Sequence, residues 1–210
     1  MRALGARSVP IVSRGGHFVS AQVIRDVVDF LDLNEDTAPK LTPVQLAARY
    51  QGILAKAQQL VAQMPDEALI RELPNRPRSW RVLMHHVFQI PTAFLDMQDS
   101  GEEMTYEAMV APPPQDMVTS ADIAAFGAEV SDRFARWWQA SADESFTVTV
   151  PTYFGGSSRH EMLERTVWHS TQHTRQVASL LEQLGLEPVA PLRPAELADL
   201  PLTPHIWDEA

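Results

Sequence analysis

Four stretches of this chain repeat apolar residues at the three- and four-residue spacing of a helix, and that periodicity constrains the fold more than any other feature. The first stripe is Leu46, Tyr50, Ile53, Ala57, Leu60 and Met64. It opens at Thr42-Pro43-Val44-Gln45, a capping-box pattern with proline at the first helical position, and it closes at Pro65. The second, Leu83, His86, Ile90, Phe94 and Met97, spans about 79–97. The third begins near Thr119-Ser120-Ala121-Asp122 and carries Ile123, Phe126, Val130, Phe134 and Trp137. The fourth runs from about 159 to 184 through Met162, Thr166, His169, His173, Val177, Leu180 and Leu184, and stops at Gly185, a natural left-handed cap. Helices of this kind bury their stripes best around one shared core, so the expected architecture is a mainly α four-helix bundle over residues 41–185.

Two flanking regions read differently. Residues 1–35 have the order strand, Gly15-Gly16 turn, strand, helix, with Val23, Val27, Phe30 and Leu31 at helical spacing. Residues 186–210 carry Pro188, Pro191, Pro194, Pro201 and Pro204 and are expected to form an extended tail. Between the third and fourth helices, the alternation Phe146, Val148, Val150 suggests a short strand.

Two histidines interrupt the fourth stripe. His169 and His173 lie one turn apart and about 40° apart around a helix, close enough to share one ion. Both point into the bundle, where an imidazole costs free energy unless it is hydrogen-bonded or coordinated. The second helix offers His85 and His86; His86 shares the stripe, whereas His85 is rotated about 100° from it. His86, His169 and His173 are therefore the candidate metal ligands. Neutral imidazoles accept zinc, nickel, copper or iron, so the residues leave the divalent metal open. Pro91, one turn after His86, removes a backbone bond to Val87 and should kink the helix. His17, His160 and His205 read as surface residues, and the five tryptophans as packing. Tyr153 could reach a pocket, and Glu164 or Asp96 could close a fourth ligand position.

Composition narrows the chemistry. The chain has no cysteine, which removes disulfides, thiolate-bound zinc and a protein thiol nucleophile, so any thiol must arrive with a substrate. A net charge of −10 with scattered basic residues argues against nucleic acid and against an anionic membrane surface as partners. No secretory signal or membrane span is evident, and the expected compartment is the cytoplasm.

Taken together, His86-Val87 on the second helix, a mid-chain helix, His169-x-x-x-His173 followed by Gln176, and the ending Leu180-Leu181-Glu182-Gln183-Leu184-Gly185 resemble the DinB-like family over about residues 41–190. That resemblance implies a four-helix bundle, often a homodimer, with a three-histidine metal site at His86, His169 and His173. Related families are metal-dependent thiol S-transferases and isomerases that use low-molecular-weight thiols; many other members have no known activity. The family often has Arg-Gly between the last histidine and the glutamine, where this chain has Thr174-Arg175.

The first 35 residues resemble the second half of a glutaredoxin: Ala6 to Val12 matches the strand carrying that fold's cis proline, here Pro10, and the Gly-Gly turn, strand and helix follow in order. This sequence does not carry the half with the active-site cysteine; the segment reads either as part of a longer fusion that starts upstream or as a relic, and it is expected to lean on the bundle or on another subunit. It hints at glutathione as co-substrate, and the cis proline would put Val9 near a thiol ligand. The expected function is thus a divalent-metal-dependent enzyme acting on a small-molecule substrate, a thiol S-transferase of the glutathione type. The alternative is a non-catalytic metal-binding or stress-response protein. Hydrolysis by metal-bound hydroxide ranks last, since no general base is evident.

Overall fold

The computed structural model describes residues 10–73, 76–141 and 145–207. Strands β1 (Ile11–Arg14) and β2 (His17–Ser20) pair antiparallel. The turn between them uses Gly15 at φ 63°, a conformation that glycine adopts without strain. Helix α1 (Ile24–Phe30) follows, giving the expected ββα order. The glutaredoxin likeness of this segment stays a likeness of sequence; Ala6 to Val9 lie outside the described residues.

Helix α2 (Pro43–Gln63) is capped as its sequence predicts. The Thr42 hydroxyl accepts from the Gln45 amide and the Gln45 side chain accepts from the Thr42 amide. A 3₁₀ turn (Asp66–Ala68) and a small hairpin of β3 (Glu72–Leu73) and β4 (Arg76–Ser79) lead into the next helix. That hairpin has no alternating apolar pattern, and periodicity did not reveal it. Helix α3 (Trp80–Ser100) is capped by Ser79 at its start and by left-handed Gly101 (φ 73°) at its end. The short helix α4 (Tyr106–Met109) lies within the long connection that follows, and α5 (Ser120–Ser141) is the third bundle helix. Strands β5 (Thr149–Val150) and β6 (Ser157–Ser158) form another small hairpin before α6 (Arg159–Gln183). Phe146 and Val150 are buried but Val148 is exposed, because the chain turns at 146–148 and breaks the expected alternation.

Helix α6 ends in a Schellman arrangement: the Leu186 amide bonds the Leu181 carbonyl and the Gly185 amide the Glu182 carbonyl, with Gly185 at φ 75°. Helix α7 (Pro194–Leu197) is the one helical turn in an otherwise irregular described tail.

Helices α2, α3, α5 and α6 pack around one core in which Tyr50, Phe88, Phe94 and Phe134 are fully buried. α3 meets α5 where Gly127 lies flat against the Phe88 ring; a Cβ there would stand 2.6 Å from a ring carbon. α3 meets α6 through a polar tie made necessary by Pro91. Proline supplies no N–H to the carbonyl four residues back, which is that of Val87. The Ser170 hydroxyl donates to this carbonyl at 3.0 Å. With its one proton committed there, Ser170 accepts from the Tyr50 hydroxyl at 2.7 Å. Tyr50, Ser170 and Val87 thus link α2, α6 and α3, one residue from His169 and one from His86.

Both flanking segments fasten to α6 or its neighbour. Arg25 pairs with Glu161 at 3.0 Å, and both Nη groups of Arg165 donate to Gln22 at 2.8 Å. In the tail, Lys56 of α2 pairs with Glu196 at 2.6 Å and donates to the Pro191 carbonyl at 2.8 Å, while Arg49 donates to the carbonyl of Ala198.

Candidate metal centre

One turn of α6 and one position on α3 bring three imidazoles together. His86, His169 and His173 each offer a ring nitrogen within 4.8 Å of the other two. The ring centroids are 5.4 Å apart for His86 and His169, 4.9 Å for His86 and His173, and 5.0 Å for His169 and His173. Zinc–nitrogen bonds of about 2.0–2.1 Å can span such a triangle after small rotations of the rings. All three donors are imidazoles, which ligate in the neutral form, and such a set suits a borderline-soft divalent ion.

The surroundings favour the neutral, ligating form. Burial above all holds the His86 pKa down at about 2, with the charges of His173, Arg78 and His85 adding to it. Burial likewise holds His169 well below the ordinary histidine value, and His173, His86, Arg165 and Arg78 act in the same sense. His86 is buried, whereas His169 and His173 keep partial exposure, so one side of the group faces outward.

Each helix supplies an outer partner. The His86 ring donates to the Met109 carbonyl of α4. His173 Nδ1 lies 2.7 Å from Gln176 Oε1 on the same face of α6. The Gln176 amide nitrogen donates to the Ile206 carbonyl at 3.0 Å. A carbonyl can only accept, so the Ile206 contact fixes which end of the Gln176 amide faces His173. The oxygen faces the ring, Nδ1 must carry the proton, and Nε2 keeps the lone pair. Gln172 and Arg175 reinforce this docking, donating to the carbonyls of Ile206 (2.8 Å) and Thr203 (2.9 Å).

The other sequence-selected residues fall elsewhere. Asp96 pairs with Arg133 at 2.7 Å. Glu164 lies apart from the imidazole group; burial raises its pKa to about 7. Neither closes the three-histidine set. Tyr153 reaches the neighbourhood, with its hydroxyl 4.0 Å from Met109 Sδ. His85 is buried, stacked on Phe126 at 5.1 Å, and its Nδ1 has no partner. Its azimuth aims it at α5 rather than α6. His160 is likewise no free surface group, since its Nε2 contacts the Leu41 carbonyl at 2.7 Å. His17 and His205 are exposed. Trp137 packs with Phe94, Phe134 and Phe146, as a core tryptophan would.

Beside His169 is a small cavity with room for about one water molecule. Arg165 lines it, one turn before His169. Sequence spacing places Arg165 on the same face as His169, a signal that apolar-stripe reasoning passed over.

Four long helices around one core and a three-histidine group, with no thiolate or carboxylate among its donors, define a helical bundle able to hold a metal ion. The chain belongs to the DinB family, whose sequence model matches residues 39–196. A search of curated proteins finds no match. Among the described residues, no helix is long and apolar enough to cross a membrane.

Proposed function

We propose that His86, His169 and His173 hold a divalent metal ion, and that the protein transfers a low-molecular-weight thiol of the glutathione type to an electrophile. The observation that carries this reading is a set of three imidazoles with an outward side and, among the described residues, no fourth protein ligand. Metal sites with three protein donors and an open position are generally catalytic, and those with a filled set structural. When bound, the ion would supply the Lewis acidity that lets a coordinating thiol lose its proton near neutral pH.

The chain's own residues support that chemistry. Gln176 orients the His173 ring and the Met109 carbonyl the His86 ring, and the Tyr50–Ser170–Val87 tie keeps α3 and α6 in register so that the rings stay together. Ile90, Met104, Met109 and Met162 give the adjoining cavity apolar walls that exclude bulk water from the reacting atoms. The absence of cysteine keeps the protein from competing with its own substrate for the electrophile. The non-catalytic alternative draws no support from Glu164 or Asp96, which stand away from the imidazoles.

Metal analysis of the purified protein, with His169→Ala and His173→Ala, tests the first half of the proposal. The expected result is one equivalent of ion in the native chain and its loss in both variants with helical content unchanged. Metal-dependent consumption of glutathione across a panel of electrophiles tests the second half. Protein loaded with metal that consumes no thiol beyond the uncatalysed rate would leave only a binding function.

A further inference from the structure

Arg165 presents an unsolved polar account at the edge of the imidazole group. Its two Nη groups donate to the carbonyl and the side-chain oxygen of Gln22, the Tyr153 hydroxyl is a further neutral partner, and its guanidinium lies 4.6 Å over the Phe154 ring. Its Nε is buried with no hydrogen-bond partner. A buried donor left unmade is costly, and a charged one more so. Arg165 is also the charged residue in the wall of the cavity that abuts His169. The rest of the lining is the apolar Ile90, Met104, Met109 and Met162 with the neutral Thr166 and His169, so no carboxylate in it meets the guanidinium. A second guanidinium, that of Arg78 on β4, is close enough to act electrostatically on both His86 and His169. Among the described residues, no carboxylate joins the imidazole group itself.

We propose that Arg165 anchors a carboxylate of the substrate beside His169, so that the thiol taken by this site is a small thiol acid. This rests on the thiol reading above. A carboxylate oxygen supplies the acceptor that Arg165 Nε lacks, and charge-assisted bonds of this kind are the stronger ones. Guanidinium held by Gln22 and stacked on Phe154 is already oriented, so little freedom is lost when the acid arrives. The cavity must widen by a few atoms to admit it. Three of its apolar wall residues are methionines, the side chains that readjust at least cost.

The test uses the cobalt(II)-loaded full chain, in which a coordinating thiol gives a sulfur-to-metal charge-transfer band. Native protein, Arg165→Gln, Arg165→Lys and Gln22→Ala are each titrated with 3-mercaptopropionate, 2-mercaptoethanol, cysteamine and, as a thiol-free acid, propionate. The native chain is expected to bind 3-mercaptopropionate at least tenfold more tightly than the neutral or cationic thiol. Arg165→Gln should bring the three within about twofold, while Arg165→Lys and Gln22→Ala keep part of the preference, which separates the charge from the packing it makes. Equal affinities in the native chain, or a preference that survives Arg165→Gln, would overturn the carboxylate anchor and leave the thiol reading standing. Should no thiol produce the band, the thiol reading fails and propionate decides. Binding weakened by Arg165→Gln supports the anchor; binding that is absent or insensitive to it overturns the anchor too.

Discussion

Gln176 Oε1 sits 2.7 Å from His173 Nδ1 and thereby decides which nitrogen of that ring is free to ligate. Gln176 is itself set by the Ile206 carbonyl, so the orientation of a residue in the three-histidine group depends on the chain's last described turn. Gln176→Ala should lower metal affinity by about 10- to 100-fold, the usual effect of losing such an outer partner. Competition titration against a chelator measures this, with circular dichroism showing that the helices persist. Gln176→Glu, which still accepts from Nδ1, should retain more of the affinity.

Ser170 serves two groups at once, the Val87 carbonyl freed by Pro91 and the Tyr50 hydroxyl. Ser170→Ala leaves both unpartnered in the core and should destabilise the protein by about 2–4 kcal/mol, more than one ordinary hydrogen bond. Tyr50→Phe leaves the Ser170–Val87 bond in place and should cost about 1 kcal/mol. Denaturant unfolding of the two variants gives the comparison.

Gly127 and Phe88 set the separation of α3 and α5. Gly127→Ala gains up to about 1 kcal/mol of helix propensity but places a methyl where the ring stands, and overpacking of this kind costs about 1–3 kcal/mol. A net loss of thermal stability is expected, and Phe88→Leu in the same chain should restore most of it by clearing the space.

Glu164 carries a pH signature. Burial raises its pKa from the ordinary 4.5 to about 7, so between those values the folded chain holds a proton that the unfolded chain has released. The stability it contributes is present below pH 4.5 and is lost as pH rises through 7. Glu164→Gln should therefore be more stable than the native chain at pH 8, by about 1–2 kcal/mol once solvent screening is allowed for, and nearly equal to it at pH 4.5. Thermal melts at the two pH values check the sign.

The bundle was legible because its signals are local. Thr42-Pro43-Val44-Gln45 shows its cap within four residues, and the stripe from Leu46 to Met64 needs only the helical period. Choosing His86 over His85 also needed only azimuth, and the structure sets His86 with His169 and His173 while His85 turns to Phe126. What escaped depends on partners far along the chain. Ser170 answers a carbonyl orphaned by Pro91, and Ile206 orients an amide at Gln176; neither pairing has a spacing that periodicity can detect. By sequence Pro91 predicts a kink, yet its more telling effect is the cross-helix bond it calls for. Arg165 and Arg78 come near one site from separate elements, and Gln22 joins them from a segment judged for its likeness to another fold.

Trp168 stands next to His169, with the indole tilted 33° to the imidazole and their centroids 5.4 Å apart. An ion entering the three-histidine group therefore arrives beside a fluorophore. Nickel or copper should dim the emission of the native chain, zinc should leave it nearly unchanged, and Trp168→Phe should abolish most of the difference. Occupancy can thus be followed by light alone, without attaching any label.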